Sequence, residues 1–291
     1  MVPKVVGSTP TPHPQKCRQP DDYSGCFFCF DISIMNNDLK DILDREVIRY
    51  NCPEFIPQDP VQFPRMFTDK RDVEIVSLLV SSIAWGKRSM ILANSNKMLA
   101  MMDWQPWKFV MDEAYEDLPD GNIHRTFFAA DMRHYLRGLH AIYVKYDSLE
   151  DFASALGVAD SYAPAWELAA GINRALAEAN DGENDCRCLP LGLDTSALKR
   201  FNMALRWLVR NDGIVDLGVW SVMKPSQLYI PLDVHVGNVS RAYGLLSRRS
   251  NDRKAVEELT ATLRTFCADD PIKYDFALFS LGVNARALTT D

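Results

Sequence analysis

The stretch LDTSALKRFNMALRWLVR, residues 193–210, decides the fold class of this chain. On a helix, where each residue turns by about 100°, its apolar side chains share one side: Leu198, Phe201, Leu205, Leu208 and Val209. The opposite side holds Lys199, Met203, Arg206 and Arg210, flanked by Arg200 and Trp207. Because 199–210 contains no acidic residue, the pattern predicts a helix over 195–210 that buries one face and presents a cationic face suited to a phosphate backbone.

Helical periodicity continues along most of the chain. The predicted helices cover residues 36–51, 71–84, 88–102, 124–146, 148–157, 163–178, 234–246, 252–267 and 271–282. Ser148 and Asp151 have the spacing of a capping box at the start of one of these helices. No alternation of apolar and polar residues indicates a strand. We therefore expect an all-α fold of two packed helical lobes over residues 35–291.

Composition narrows the class of protein. Residues 1–34 are rich in Pro, Thr and Cys, and we expect them to be a disordered tail or to precede the natural start at Met35. No apolar run reaches the ~18 residues of a membrane span, and the first residues lack the apolar core of a secretory signal. These features predict a soluble, cytoplasmic protein.

Charge and cysteine usage limit the possible partners. The net charge of −7 argues against a general nucleic-acid binder, although an acidic protein can still carry a local basic groove. The seven cysteines match neither the spacing of a zinc site nor that of an iron–sulfur cluster. We therefore expect no metal and no cofactor.

Asp233 lies in YIPLDVHVGNVSRAYGLL, residues 229–246, where a proline precedes the start of a predicted helix. One interpretation of Asp233 is a structural N-cap. The other is catalytic, because a carboxylate at a helix N-terminus stays ionised and can stabilise positive charge on a sugar whose base is leaving. Lys199 likewise is either a solvated surface lysine or the nucleophile of such a reaction.

Several segments resemble a known superfamily. PLDVHVGNVSR (231–241) resembles the P-x-D-x-H-V stretch of the helix-hairpin-helix DNA glycosylases. Five segments together resemble, more closely, an uncharacterised bacterial family placed near the archaeal 8-oxoguanine DNA glycosylases: DVEIVSLLVSSIAWGKRSMI (72–91), HRTF (124–127), KRFNMALRWLVRNDGIVDLGVW (199–220), PSQLYIPLDVHV (225–236) and DPIKYDFALFSLGV (270–283). The resemblance covers roughly residues 36–285 and implies a two-lobed, glycosylase-like helical fold.

The resemblance also implies roles for individual residues. Lys199 takes the position of the nucleophile and Asp233 that of the catalytic carboxylate. The implied base pocket consists of Met203, Asp275, Phe279 and Trp85. The candidate DNA contacts are Lys87 and Arg88 at a helix break, His235 facing the same cleft, and Arg200, Arg206 and Arg210 from the cationic face.

These features predict a base-excision repair enzyme. We expect a monomeric DNA glycosylase with AP lyase activity that removes an oxidised purine, such as 8-oxoguanine, from double-stranded DNA through a Schiff base on Lys199. The hairpin before that lysine usually reads L-P-G-x-G, but LPLGLDTSALK (189–199) lacks the paired glycines, which leaves its phosphate and monovalent-cation roles open. The alternative is a catalytically inactive helical DNA-binding protein of the same fold. A protein scaffold that does not bind DNA is a third hypothesis.

Overall fold

The computed structural model describes residues 36–184 and 187–287. The predicted tail, residues 1–34, lies outside these ranges. The helices are α1 (Asn36–Tyr50), α2 (Lys70–Ser82), α3 (Arg88–Met101), α4 (Pro106–Met111), α5 (Ala129–Lys145), α6 (Leu149–Ala155), α7 (Pro164–Ala179), α8 (Lys199–Val209), α9 (Val234–Ala242), α10 (Arg253–Phe266) and α11 (Tyr274–Ala287). The predicted all-α class is confirmed. Within the described ranges, no helix is both long enough and apolar enough to cross a membrane.

Local sequence explains several helix starts. One half of the predicted capping box is present at α6: the Ser148 hydroxyl accepts the backbone N–H of Asp151 at 3.0 Å, while it donates to the Asp151 carboxylate at 2.6 Å. Helix α2 is capped by Asp69, whose carboxylate accepts the backbone N–H of Arg71. These caps satisfy amide groups that a helix leaves unpaired at its first turn.

The prediction of one helix over 124–146 was wrong at its beginning. A small antiparallel hairpin forms there, from β1 (Asn122–His124) and β2 (Phe127–Phe128). Arg125 occupies the turn in the left-handed region, with φ of 51°. Helix α5 begins at Ala129 because the Asp131 carboxylate accepts the backbone N–H of Phe128 at 2.8 Å. Strands of three and two residues are too short to produce the alternation by which a strand is recognised in a sequence.

Helix α8 also differs from its prediction. It begins at Lys199, since Leu198 has a left-handed φ of 48° and cannot continue a helix. Its residues 201–209 are all buried, as is Arg210 after it, so the helix lies inside the protein rather than along its surface. The predicted cationic outer face of α8 is therefore wrong.

Three of the candidate site residues lie at helix starts. α2 packs against α8, α1 and α9 both pack against α11, and α5 packs against α7. Lys199 is the first residue of α8, Asp233 caps α9, and Asp275 lies in the first turn of α11. The division into two lobes stays a prediction.

Candidate active site

The amine of Lys199 is held at the first turn of α8. The side chain is half-buried, and its Nζ lies 3.6 Å from the Sδ of Met203, one turn further along the helix. Among the described residues, no carboxylate lies within 4.0 Å of this nitrogen. A lysine that is half-buried without an ion pair beside an apolar contact is an uncommon arrangement for a purely structural cation.

Asp233 is the N-cap of α9, as the local sequence predicts. Its Oδ1 accepts the backbone N–H groups of His235 and Val236, each at 2.9 Å. Asn251 donates to the Asp233 carbonyl at 3.0 Å, which fixes the residue from the other side. Because both cap bonds use Oδ1, and no described residue donates to Oδ2, one carboxylate oxygen stays available to a ligand or a proton. The structural and catalytic interpretations of Asp233 are thus compatible.

Asp275 connects the two groups. It is 7% exposed and pairs with the buried Arg206. Burial raises the pKa of Asp275 to about 6, the positive charges of Arg206 and Lys199 oppose this shift, and the negative charge of Asp233 adds to it. Lys199 and Asp233 therefore both lie near enough to Asp275 to act on the charge of its carboxylate.

Aromatic side chains form the adjoining walls. Phe279 lies one turn after Asp275 on α11, and the guanidinium of Arg88 lies 5.1 Å from the centre of its ring. Arg88 therefore covers one face of the Phe279 ring. The Arg200 guanidinium lies 4.8 Å from the centre of the Trp85 ring, which places Trp85 beside the start of α8.

A buried histidine holds Trp85 in position. His124 is fully buried, and its Nε2 lies 2.9 Å from the Trp85 carbonyl oxygen while its Nδ1 lies 2.8 Å from the side-chain amide of Asn94. A carbonyl can only accept, so Nε2 carries the proton and Nδ1 accepts from Asn94. The rings of His124 and Trp85 also meet edge to face at 4.8 Å. His124 is thus structural, because both of its ring nitrogens bind other parts of the protein.

Arg206 and Arg210 do not line the site as cations open to DNA. Each is 4% exposed, and Asp216 bridges them, with Oδ1 3.1 Å from Arg206 Nε and Oδ2 2.9 Å from Arg210 Nη1. Arg206 also pairs with Asp275, and Arg210 with Asp270 at 2.8 Å. Burial disfavours the charged form of Arg206, but the carboxylates of Asp216 and Asp275 outweigh this effect. The pKa of Arg206 is therefore raised above its ordinary value. Both arginines are internal structural groups, which corrects their assignment as phosphate contacts.

Arg200 is engaged with the protein as well. Its guanidinium donates to the backbone carbonyls of Ser82 and, at 3.4 Å, of Arg187. Burial lowers the pKa of this arginine. Its position, packed between Trp85 and two carbonyls, makes it a wall of the site rather than an open phosphate contact.

The remaining candidates lie at the edge of the site. Lys87 directly precedes α3 and Arg88 is the first residue of that helix, and both are exposed. His235 packs against α11, since a Cβ built on Gly282 would lie 3.1 Å from the Cβ of His235. The structure therefore brings these three residues to the same region as Lys199 and Asp233.

Sequence reasoning missed the acidic partners of α8. Asp216 follows the helix in the loop NDGIVDLG, residues 211–218, and is 2% exposed. Burial raises its pKa, and the charges of Arg206 and Arg210 act against that shift. Two acids that directly follow a helix without acids are a usable signal that these acids neutralise the cations of that helix. The acid in the third helix start, Asp275, has no such local signal.

Comparison with known proteins gives one result. A family model described as "Protein of unknown function (DUF2400)" matches residues 59–284. This range includes every candidate residue from Trp85 to Phe279. No curated protein and no solved structure matches the chain.

Proposed function

The chain belongs to the DUF2400 family of proteins of unknown function, and we propose that it is a DNA glycosylase with AP lyase activity. Its substrate is an oxidised purine, such as 8-oxoguanine, in double-stranded DNA. The proposal unites the arrangement of the site with the resemblance of its segments to the helix-hairpin-helix glycosylases.

One observation carries the proposal: an amine without an ion pair shares a site with two carboxylates. Lys199 contacts Met203 instead of an acid, and both it and Asp233 act on the charge of the buried Asp275. A lysine held for structural reasons would be expected to pair with one of these nearby acids. An amine left open beside carboxylates is suited to nucleophilic attack followed by proton transfer.

The chemistry follows from these groups. The neutral Lys199 amine forms a bond to C1′ of the flipped nucleotide while the bond from C1′ to the base breaks. The amine passes a proton to Asp233, and the base, which leaves with the bonding electrons, takes up that proton from Asp233. Opening of the sugar ring turns the new C1′–N bond into a Schiff base. Loss of a proton from C2′ then expels the 3′ phosphate by β-elimination.

The base pocket in this proposal lies between α8 and α11. Met203 and Phe279 provide apolar contacts for the faces of the base, and Asp275 offers a carboxylate to its edge. At neutral pH, with a pKa of about 6, Asp275 is mostly ionised and can accept hydrogen bonds from N–H groups of a purine. Trp85 closes the side of the pocket next to Arg200.

Borohydride trapping tests the proposal directly. The protein is incubated with duplex DNA containing 8-oxoguanine or an abasic site, and borohydride reduces any Schiff base to a stable covalent adduct. We expect an adduct with the wild type and none with Lys199→Gln. Lys145→Gln is the matched control, because Lys145 is an exposed lysine at the far end of α5.

The outcomes separate the two main hypotheses. If the wild type forms no adduct and Lys199→Gln binds DNA as tightly as the wild type, the chain is the catalytically inactive DNA-binding protein. If neither protein binds DNA in a salt-dependent manner, both hypotheses fail. A panel of duplexes with different damaged bases then identifies the lesion.

A further inference from the structure

The β1–β2 hairpin presents an exposed arginine that no part of the site uses. Arg125 forms the turn with a left-handed φ of 51°, and Asn122 donates from its side chain to the Arg125 carbonyl. The side chain of Arg125 is exposed, whereas His124 and Phe127 on either side of the turn are fully buried. The hairpin is thus anchored by its strands and offers its tip to the outside.

The hairpin is attached to the loop that carries Trp85. His124 binds the Trp85 carbonyl at 2.9 Å and contacts its ring. The guanidinium of Arg125 lies directly on Gly86, since a Cβ built there would be 2.6 Å from Nη1 of Arg125. Gly86 has a φ of 98°, which a glycine adopts without strain. The lack of a side chain at Gly86 also leaves room for the arginine. Arg125 therefore lies next to Lys87 and Arg88.

These three cations are not neutralised by the protein. Lys87, Arg88 and Arg125 are exposed, and none of the carboxylates within the described ranges lies within 4.0 Å of their side-chain nitrogens. The acids flanking the hairpin have other partners: Asp120 pairs with Arg133, and Asp131 accepts the backbone N–H of Phe128. Neighbouring like charges repel each other, and an anion bound across them removes that repulsion.

We propose that Arg125 binds the phosphate backbone of duplex DNA, and that with Lys87 and Arg88 it forms a basic edge beside the site. This inference rests on the proposed function, because it takes DNA as the partner. The groups that these cations bind are the phosphodiesters of the DNA backbone. Three adjacent cations, without carboxylates or base-specific side chains beside them, recognise negative charge rather than base sequence. Arg125 is a binding residue and does not reach the reacting atoms.

Binding measurements at several salt concentrations test this assignment. The probe is a duplex with a tetrahydrofuran analogue of an abasic site, which cannot react with Lys199. Removing one phosphate contact lowers the slope of log affinity against log salt by about 0.9. We expect this change in Arg125→Gln, together with about two- to fivefold weaker binding at low salt.

Two variants serve as controls. Lys145→Gln also removes one exposed cation, but Lys145 is the last residue of α5, about 24 Å along the helix from its first residue, so the slope of this variant should equal that of the wild type. Arg125→Lys keeps the charge and should keep the slope. If Arg125→Gln disturbs the fold, as judged by circular dichroism, Arg125→Gly removes the charge with a residue that accepts a positive φ.

Each outcome has one meaning. A lower slope for Arg125→Gln, with wild-type slopes for both controls, supports the inference. A wild type that binds DNA with salt dependence, together with an Arg125→Gln or Arg125→Gly variant that binds equally well, overturns the inference and leaves the proposed function standing. A wild type without salt-dependent binding overturns both.

Discussion

Replacement of Asp216 by alanine should destabilise the protein strongly. Asp216 is buried and accepts hydrogen bonds from Arg206 at 3.1 Å and from Arg210 at 2.9 Å. Hydrogen bonds to charged groups contribute about 1.5–3 kcal/mol each, and breaking a buried ion pair costs about 3–5 kcal/mol. In the variant, Arg206 still pairs with Asp275 and Arg210 still pairs with Asp270. These remaining ion pairs favour the lower end of that energy range. We therefore expect a loss of about 3 kcal/mol in the free energy of unfolding.

Equilibrium unfolding in urea at pH 7 measures this loss. The midpoint should fall while the slope of the free energy against urea stays constant. Asp112→Ala is a suitable control, because Asp112 pairs with Lys108 on the surface of the protein. An exposed pair of this kind contributes about 0.5 kcal/mol or less.

A loss below about 1 kcal/mol for Asp216→Ala, at unchanged slope, would refute the reasoning. It would mean that Arg206 and Arg210 do not depend on Asp216 for their burial.

Three further predictions concern the site and its supports. Asp275→Asn should gain about 3 kcal/mol in the free energy of unfolding relative to the wild type between pH 4 and pH 7. The pKa of Asp275 is about 6 in the folded protein and 3.8 in an ordinary setting. The wild type therefore loses stability as the pH rises between these two values, whereas the asparagine variant does not. A difference in unfolding free energy between the two proteins that stays constant with pH would contradict the raised pKa. Gly86→Ala should lose about 1–3 kcal/mol in urea unfolding, because of its φ of 98° and the contact with Arg125, whereas Gly121→Ala, with nothing within 4 Å, should change little. Ser148→Ala should lose about 1 kcal/mol through its helix cap, and an unchanged melting temperature would argue against a stabilising role of that cap.

The sequence predicted features that depend on nearby residues. The Ser148 cap and the Asp233 cap involve partners within three positions along the chain. Helices such as α2 and α10 follow from the periodicity of their own apolar residues. The all-α class follows from the sum of such local patterns.

The sequence was less informative where distant segments meet. The hairpin at Arg125 replaced the first turns of a predicted helix, because its strands are stabilised by the contacts of His124 with Asn94 and Trp85 rather than by a pattern of their own. The contact between Arg125 and Gly86 likewise joins segments about 40 residues apart in the sequence.

Lys199 and Asp233 illustrate both sides of this division. The sequence by itself determined that each lies near the start of a helix and that α8 carries an excess of positive charge, since composition and capping are local properties. Only the tertiary structure decided which of those charges are open to a ligand. Asp216 and Asp275 arrive from other segments and neutralise Arg206 inside the protein, whereas no acid comes within ion-pair distance of Lys199 in the described ranges. Burying a cation is favourable only with such partners, and a helical pattern holds no information about acids supplied by distant segments of the chain.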